Sequence, residues 1–476
     1  MNGFSEYESY DGLGLAELIR RKAVTPDEVL DAAIARVDAR NPALNAVLME
    51  LYDHARQAIA AGLPNGPFTG VPFLLKDLGS ALAGARTTRG SKFFVALPAQ
   101  THDSVHVTRL KQAGLVIYGR TNTCEFGLSL TCEPQLYGPS RNPWDTTRPP
   151  SGSSGGAAAA VAARILPMAD ASDGFGSIRA PAAACGLIGL RPTRARNTMA
   201  PFLGEGMGGL SIEHAVTLSV RDCAALLDAT SGPGPGDPYV APPPARPYLA
   251  EVGADPGWLR IAATRIAPNG APVAADYLRV LRETADLCTE LGHEVHDADP
   301  AIDRDLVIAT FRTLSAVNVL NALQSHPEGR DPAPDEVETV VFRTMQLAKT
   351  IDAASYMRAT QAAHCLGRQM AAFHADYDVL LTPALGTLPP KLGWIDMTMD
   401  DLDEYWDRVF GFSPFTVWFN LTGQPAMMIP LGQTESGFPI AVQAVARYGD
   451  EACLFRLAAQ LEAARPWIGR KSAQSQ

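Results

Sequence analysis

Two serine-glycine segments near mid-chain hold the residues best suited to chemistry. Ser151-Gly152-Ser153-Ser154-Gly155-Gly156 precedes Asp173-Gly174-Phe175-Gly176-Ser177-Ile178-Arg179, with an alanine-rich stretch between them. Each sets a hydroxyl on glycine-rich backbone, where N–H groups approach a bound carbonyl without Cβ interference. In the second segment the N–H groups of Gly174, Phe175, Gly176 and Ser177 stand beside a candidate nucleophile, Ser177. That is the raw material of an oxyanion hole. Far upstream, Lys76 closes the apolar run Val71-Pro72-Phe73-Leu74-Leu75. Serines and a lysine together point to acyl transfer that needs neither histidine nor metal.

Each feature has a plainer reading. Gly/Ser clusters are usually loops, and lysines at strand ends usually reach for water. The first segment also contains G-x-S-x-G centred on Ser154, the nucleophile-elbow pattern of α/β-hydrolases. That pattern needs a preceding strand, and Arg148-Pro149-Pro150-Ser151 is a poor one, although downstream histidines (His214, His293, His296, His326, His364, His374) keep the alternative open. His102 and His106 have the spacing of a metal-binding pair, but no third ligand is near and a surface helix is favoured. Neither glycine segment is followed by Lys-Ser/Thr, so phosphate binding fails.

The elements that must hold these residues alternate in type. Thr25-Pro26-Asp27-Glu28 is a capping box opening a helix with Val29, Leu30, Ala33, Ile34 and Val37 on one stripe, ending at Asn41-Pro42. Strands are expected at Val71–Leu75 and Leu115–Tyr118, with a helix carrying Val105 and Leu110 between them. Ala157–Ile165 should be a buried helix of small side chains. After the Pro/Gly-rich stretch Ser231–Pro247 come a strand at Leu259–Ala263, a helix through Leu281–Leu291 and a strand near Val295. Long helices should fill 335–375, before a strand at Val379-Leu380-Leu381 closed by Thr382-Pro383. This is one α/β domain around a mixed sheet. Its parts are a helical region at about 1–65, a catalytic core at 66–230, a surface crossing at 231–247 and the remainder at 248–476.

Composition narrows the function classes. The 476 residues are 46% hydrophobic and carry a formal charge of −11, which argues against nucleic acid or an anionic membrane as partner. Seven scattered cysteines without a C-x-x-C pair read as reduced thiols in a cytoplasmic protein. The N-terminus has no signal-peptide character. No apolar stretch is expected to span a membrane; the run around Ala157–Ala163 stops at Arg164.

Taken together, these motifs resemble the amidase signature family. The likeness runs from Gly70–Asp77 through Gly119-Arg120-Thr121-Asn122-Thr123 and both serine segments to Cys185–Thr193 and Asn420–Ala426. Within that family the chain looks most like bacterial 6-aminohexanoate cyclic-dimer hydrolases, on Arg141-Asn142-Pro143-Trp144 and the Gln424 to Gln443 region. The resemblance implies a single α/β domain with a central twisted mixed sheet wrapped by helices. It implies a Ser–cis-Ser–Lys triad of Ser177, Ser153 and Lys76, the 24-residue spacing between the serines selecting Ser153 as relay. The Gly152–Ser153 peptide is expected to be cis. Lys76 must be neutral, so its pocket must be partly apolar. Ser154, Asp173 and Arg179 take positions that support the two loops in the family. No cofactor and no metal are implied. The expected partner is a small-molecule amide, and a homodimer is compatible with the family.

The chain departs from the family at the nucleophile loop, where Phe175 replaces a glycine and Gly174 a threonine. The Phe175 ring is expected to line the substrate pocket with Phe126 and Trp418, while Ser315 stands where cyclic-dimer hydrolases carry a cysteine. Linear, cyclic or oligomeric amides, anilides, carbamates and esters all remain within range. Three alternatives stay open: the catalytic subunit of a tRNA-dependent amidotransferase, an esterase using Ser154, and a non-catalytic member. The first lacks support at Phe342–Leu347, which does not carry that subunit's Arg-Ile-Met-Leu-Gly-Thr-Tyr pattern.

Overall fold

The computed structural model describes residues 4–475. Among them the chain forms strands β1 (Val47–Glu50), β2 (Pro72–Lys76), β3 (Val116–Thr121), β4 (Met168–Asp173), β5 (Ile188–Arg191) and β6 (Ile212–Thr217). Strands β7 (Arg260–Ala263), β8 (Glu294–Asp297), β9 (Val379–Pro383), β10 (Ala426–Gln433) and β11 (Pro439–Ala446) follow. Eight of them make one mixed sheet in the order β4-β6-β5-β10-β11-β9-β7-β8, and three make a second in the order β1-β3-β2. Helices pack around both in a single α/β domain.

The two sheets meet where β2 packs against β4. Here a side chain takes the place of a ladder bond: the Lys76 N–H donates to Asp170 Oδ2 at 3.0 Å, and the Ser80 hydroxyl to the same oxygen at 2.7 Å. The seam divides what reads in the sequence as one sheet. It also puts the last residue of β2 against the middle of β4.

Small side chains let the helix Gly155–Ala162 lie close to both sheets. A Cβ at Gly156 would fall 2.4 Å from the Asn122 nitrogen and 2.6 Å from the Ala46 oxygen, so only glycine fits. The capping box at Thr25 forms as expected, but the helix Pro26–Leu44 runs past Pro42. Asn41 explains the extension: its side chain accepts the N–H groups of Ala46 and Val47, each at 2.8 Å, and caps the chain as it leaves. Residues 231–247 contain no helix or strand.

One expectation needs correction. The helix Arg304–Gln324 is long and apolar enough to cross a membrane by length and composition. In the fold it packs against the helices Thr339–Ala348 and Ala353–Phe373.

Candidate active site

Lys76 leaves β2 with no exposed surface, and its Nζ donates to Ser153 Oγ at 2.7 Å and Ser172 Oγ at 3.0 Å. Burial pushes its ammonium down to about 8, against the opposing pull of nearby acidic groups, Asp170 among them. A lysine held this way is neutral for an appreciable fraction of the time near neutral pH. Ser172 had no place in the sequence reading, yet β4 shows a usable signal: Asp170 and Ser172 alternate with Ala169 and Ala171, putting both polar residues on one face.

The first serine loop turns sharply to aim Ser153. Ser151 has φ 65°, and the Gly152–Ser153 peptide is cis. A Cβ on Gly152 would lie 2.0 Å from the Thr131 carbonyl oxygen, so the loop lies against backbone that no side chain could share. Ser154 points elsewhere. Its Oγ donates to the Ser172 carbonyl and accepts the Ser172 N–H, both at 3.3 Å, while its own N–H donates to the Ser177 carbonyl at 3.2 Å. It ties the two serine loops together, and among the described residues no histidine lines the cavity on which Ser153 and Ser177 open.

That cavity has a volume of about 510 Å³. Ser153, Ser177, Gly174, Phe175, Phe126 and Ser315 all line it. Trp418 does not: it lines a separate cavity beside Thr264, Met370 and Phe415, which corrects its expected place in the substrate pocket. Its helix, Val417–Thr422, turns it toward the ends of β7 and β9. The Ser177 hydroxyl itself makes no hydrogen bond among the described residues, so the Ser177-to-Ser153 contact is not preformed.

The loop carrying Ser177 is braced from behind. Asp173 and Arg179 form a fully buried pair, with Nε donating to Oδ2 at 2.9 Å and Nη2 to Oδ1 at 3.0 Å. Burial alone would raise the Asp173 carboxyl, but the Arg179 guanidinium outweighs it and holds the group well below the usual carboxylate range. Arg179 Nη1 also donates to the Thr416 carbonyl at 2.9 Å and Gln443 Oε1 at 2.8 Å. Asn420 Nδ2 donates to Asp173 Oδ1 at 2.8 Å, and the Thr416 hydroxyl to the Phe175 carbonyl at 2.8 Å.

One expected oxyanion donor is spent in this bracing. The Gly176 N–H donates to Asp173 Oδ1 at 2.7 Å, which corrects its reading as a free donor. Among the described residues the N–H groups of Gly174, Phe175 and Ser177 carry no hydrogen bond and stay available. Gly176 has φ 132°, and a Cβ there would sit 2.5 Å from Thr416 Oγ1, so its role is to let the loop pass.

Phe175 is a second partial correction. It lines the cavity, yet it is only 2% exposed, and its ring packs against Phe311 (centroids 5.1 Å apart) and Trp406 (6.0 Å). The ring is anchored in an aromatic cluster rather than projecting freely toward substrate. Phe175→Ala is therefore expected to cost about 3–5 kcal/mol of stability through the cavity it leaves. Denaturant melts check this, and an unchanged midpoint would show that the ring contributes no packing.

His106 also differs from the sequence expectation. It is buried, with Nε2 3.2 Å from Asp170 Oδ1, and His102 stacks on Phe202 instead of sharing a face with it. Arg120 donates to the Lys76 and Ser80 carbonyls at 2.9 and 3.0 Å, holding the chain beyond the lysine.

A mixed-sheet α/β fold with this chemistry places the protein among amide-cleaving hydrolases. The chain belongs to the amidase family, amidase signature type, whose profile matches residues 28–455. It is 36% identical over 474 residues to the 6-aminohexanoate-cyclic-dimer hydrolase of Paenarthrobacter ureafaciens, covering 97% of this chain and 96% of that protein. The solved structure of a 6-aminohexanoate cyclic dimer hydrolase complexed with substrate aligns with TM-score 0.94 at 35% identity, over 98% of this chain and 100% of that one. A bacterial aryl acylamidase of the same family aligns with TM-score 0.86 at 25% identity, over 97% of this chain and 99% of that one.

Proposed function

We propose that the protein hydrolyses a small carboxylic amide through an acyl-enzyme on Ser177. The observation that carries this reading is the buried Lys76 Nζ at 2.7 Å from Ser153 Oγ, with Ser153 and Ser177 opening on one cavity. Ser177 Oγ attacks the amide carbon, its proton passing to Ser153 as the Ser153 proton passes to neutral Lys76. The free N–H groups of Gly174, Phe175 and Ser177 face the oxyanion that forms. The proton on Lys76 then returns through Ser153 to the departing nitrogen, and the amine leaves. Water enters by the same relay, attacks the ester and releases a carboxylic acid and free Ser177.

The full-length likeness to cyclic-dimer hydrolases supports a cyclic or oligomeric amide as substrate, and the cavity volume is in the range of small-molecule sites. A fluorophosphonate should label Ser177, with the adduct located by peptide mass spectrometry. A panel of cyclic, linear and aryl amides should show multiple turnovers on at least one. An adduct on Ser154, or labelling that needs a histidine, would defeat the reading.

A further inference from the structure

Strand β6 carries a carboxylate that this mechanism does not use. Glu213 lies directly across from Ser172 in the β4–β6 ladder, so the two side chains share a face, and Ser172 touches Lys76. Glu213 lines the catalytic cavity while being only 5% exposed. Room for it is made by Gly79, three residues past Lys76, where φ is 91° and a Cβ would fall 2.5 Å from Glu213 Oε1.

Among the described residues, no hydrogen bond or ion pair reaches the Glu213 carboxylate. Its backbone carbonyl accepts a hydrogen bond from Asn197 Nδ2 at 2.7 Å. The charged groups around it are committed elsewhere: His106 bonds Asp170, and Lys76 bonds Ser153 and Ser172. Arg89, also on the cavity wall, lies over the Phe94 ring at 4.4 Å and donates to the Ala322 carbonyl. Burial raises the Glu213 carboxyl to about 7, with His106 and Lys76 opposing and Asp170 adding to the shift. A buried carboxylate without a donor is costly, and among the described residues no hydrogen bond offsets that cost. A ligand in the cavity can.

We infer that Glu213 is a specificity-determining residue whose carboxylate accepts hydrogen bonds from an ammonium or N–H group of the substrate. The favoured substrates are then amides that carry a second nitrogen donor, above all a cationic amine. The kinetic side of this inference rests on the amide-hydrolase reading; the binding side does not.

The test uses a matched pair, 5-aminopentanamide and hexanamide, which differ by an ammonium in place of a methyl. Calorimetric titration into the Ser177→Ala protein should show the amine-bearing amide binding at least about 10-fold tighter, the scale of a charge-assisted bond. Adding Glu213→Gln should bring the pair to within about threefold. In the protein with Ser177 intact, the ratio of kcat/KM values should collapse in the same way. Glu213→Gln should also raise the melting temperature at pH 8, because it removes an unpaired charge. A preference that survives Glu213→Gln, an absence of preference or of binding by either amide, or a lowered melting temperature would each overturn the inference. Binding selectivity that follows Glu213 while no acyl group forms on Ser177 would instead sink the amide-hydrolase reading and leave this one standing.

Discussion

Lys76→Ala is expected to lower kcat for amide turnover by about 10⁴-fold or more, the scale at which members of a nucleophile–base unit fail. Ser153→Ala should cost less, about 10²–10⁴-fold, because it removes a relay and not the base. The wild-type rate should rise with pH to a midpoint near the lysine's value of about 8 and then level off, since only neutral Lys76 accepts the proton. Stability separates this from misfolding. The folded protein holds the Lys76 proton less tightly than the unfolded chain, whose value is near 10.5. The group therefore costs stability below pH 8 and is relieved between pH 8 and 10.5. Lys76→Met should abolish turnover while raising stability at pH 7 by up to about 3 kcal/mol. A flat pH–rate profile, or an active Lys76→Met, would remove the lysine from the mechanism.

Asp173→Asn should be strongly destabilising. It leaves Arg179 charged and fully buried without its counter-ion, a loss of about 3–5 kcal/mol. Asp173 also accepts the N–H groups of Gly176 and Ile178, so the loop presenting Gly174, Phe175 and Ser177 loses its tether. A nucleophile displaced by about 1 Å loses about 10²-fold in rate. The stabilisation has a defined pH window. The folded carboxyl is depressed, so its contribution is complete above the ordinary Asp range, declines as pH falls below that range and is gone once pH has fallen through the folded value. Acid melts of wild type and Asp173→Asn should converge at the lowest pH. Parallel curves down to that pH would show that the pair does not act through ionisation.

Motif residues were legible in the sequence because their properties are local. Glycine at 152, 155 and 156 announces close packing, and in the structure a Cβ at any of the three would fall 2.0 to 2.5 Å from its nearest neighbour. The capping box at Thr25 and the small-residue helix after Ser154 are likewise written into adjacent residues. Strand and helix types followed from hydrophobic period, and the fold class from their alternation.

Partners across the chain were not legible. Arg120, Asn420 and Gln443 sit in motifs readable by eye, but nothing local says that Gln443 will meet Arg179 across 264 residues. Likewise, nothing local sends Trp418 to the other cavity or turns the Gly176 N–H away from the substrate side. The sequence by itself determined which residues are chemically able and which backbone must be bare. Tertiary structure alone decided which hydroxyls meet Lys76, which N–H groups stay free, and that Glu213 is left in the cavity without a partner. The physical reason is range: dihedral freedom and hydrophobic period act between neighbours, whereas burial and pairing depend on what the rest of the chain brings alongside.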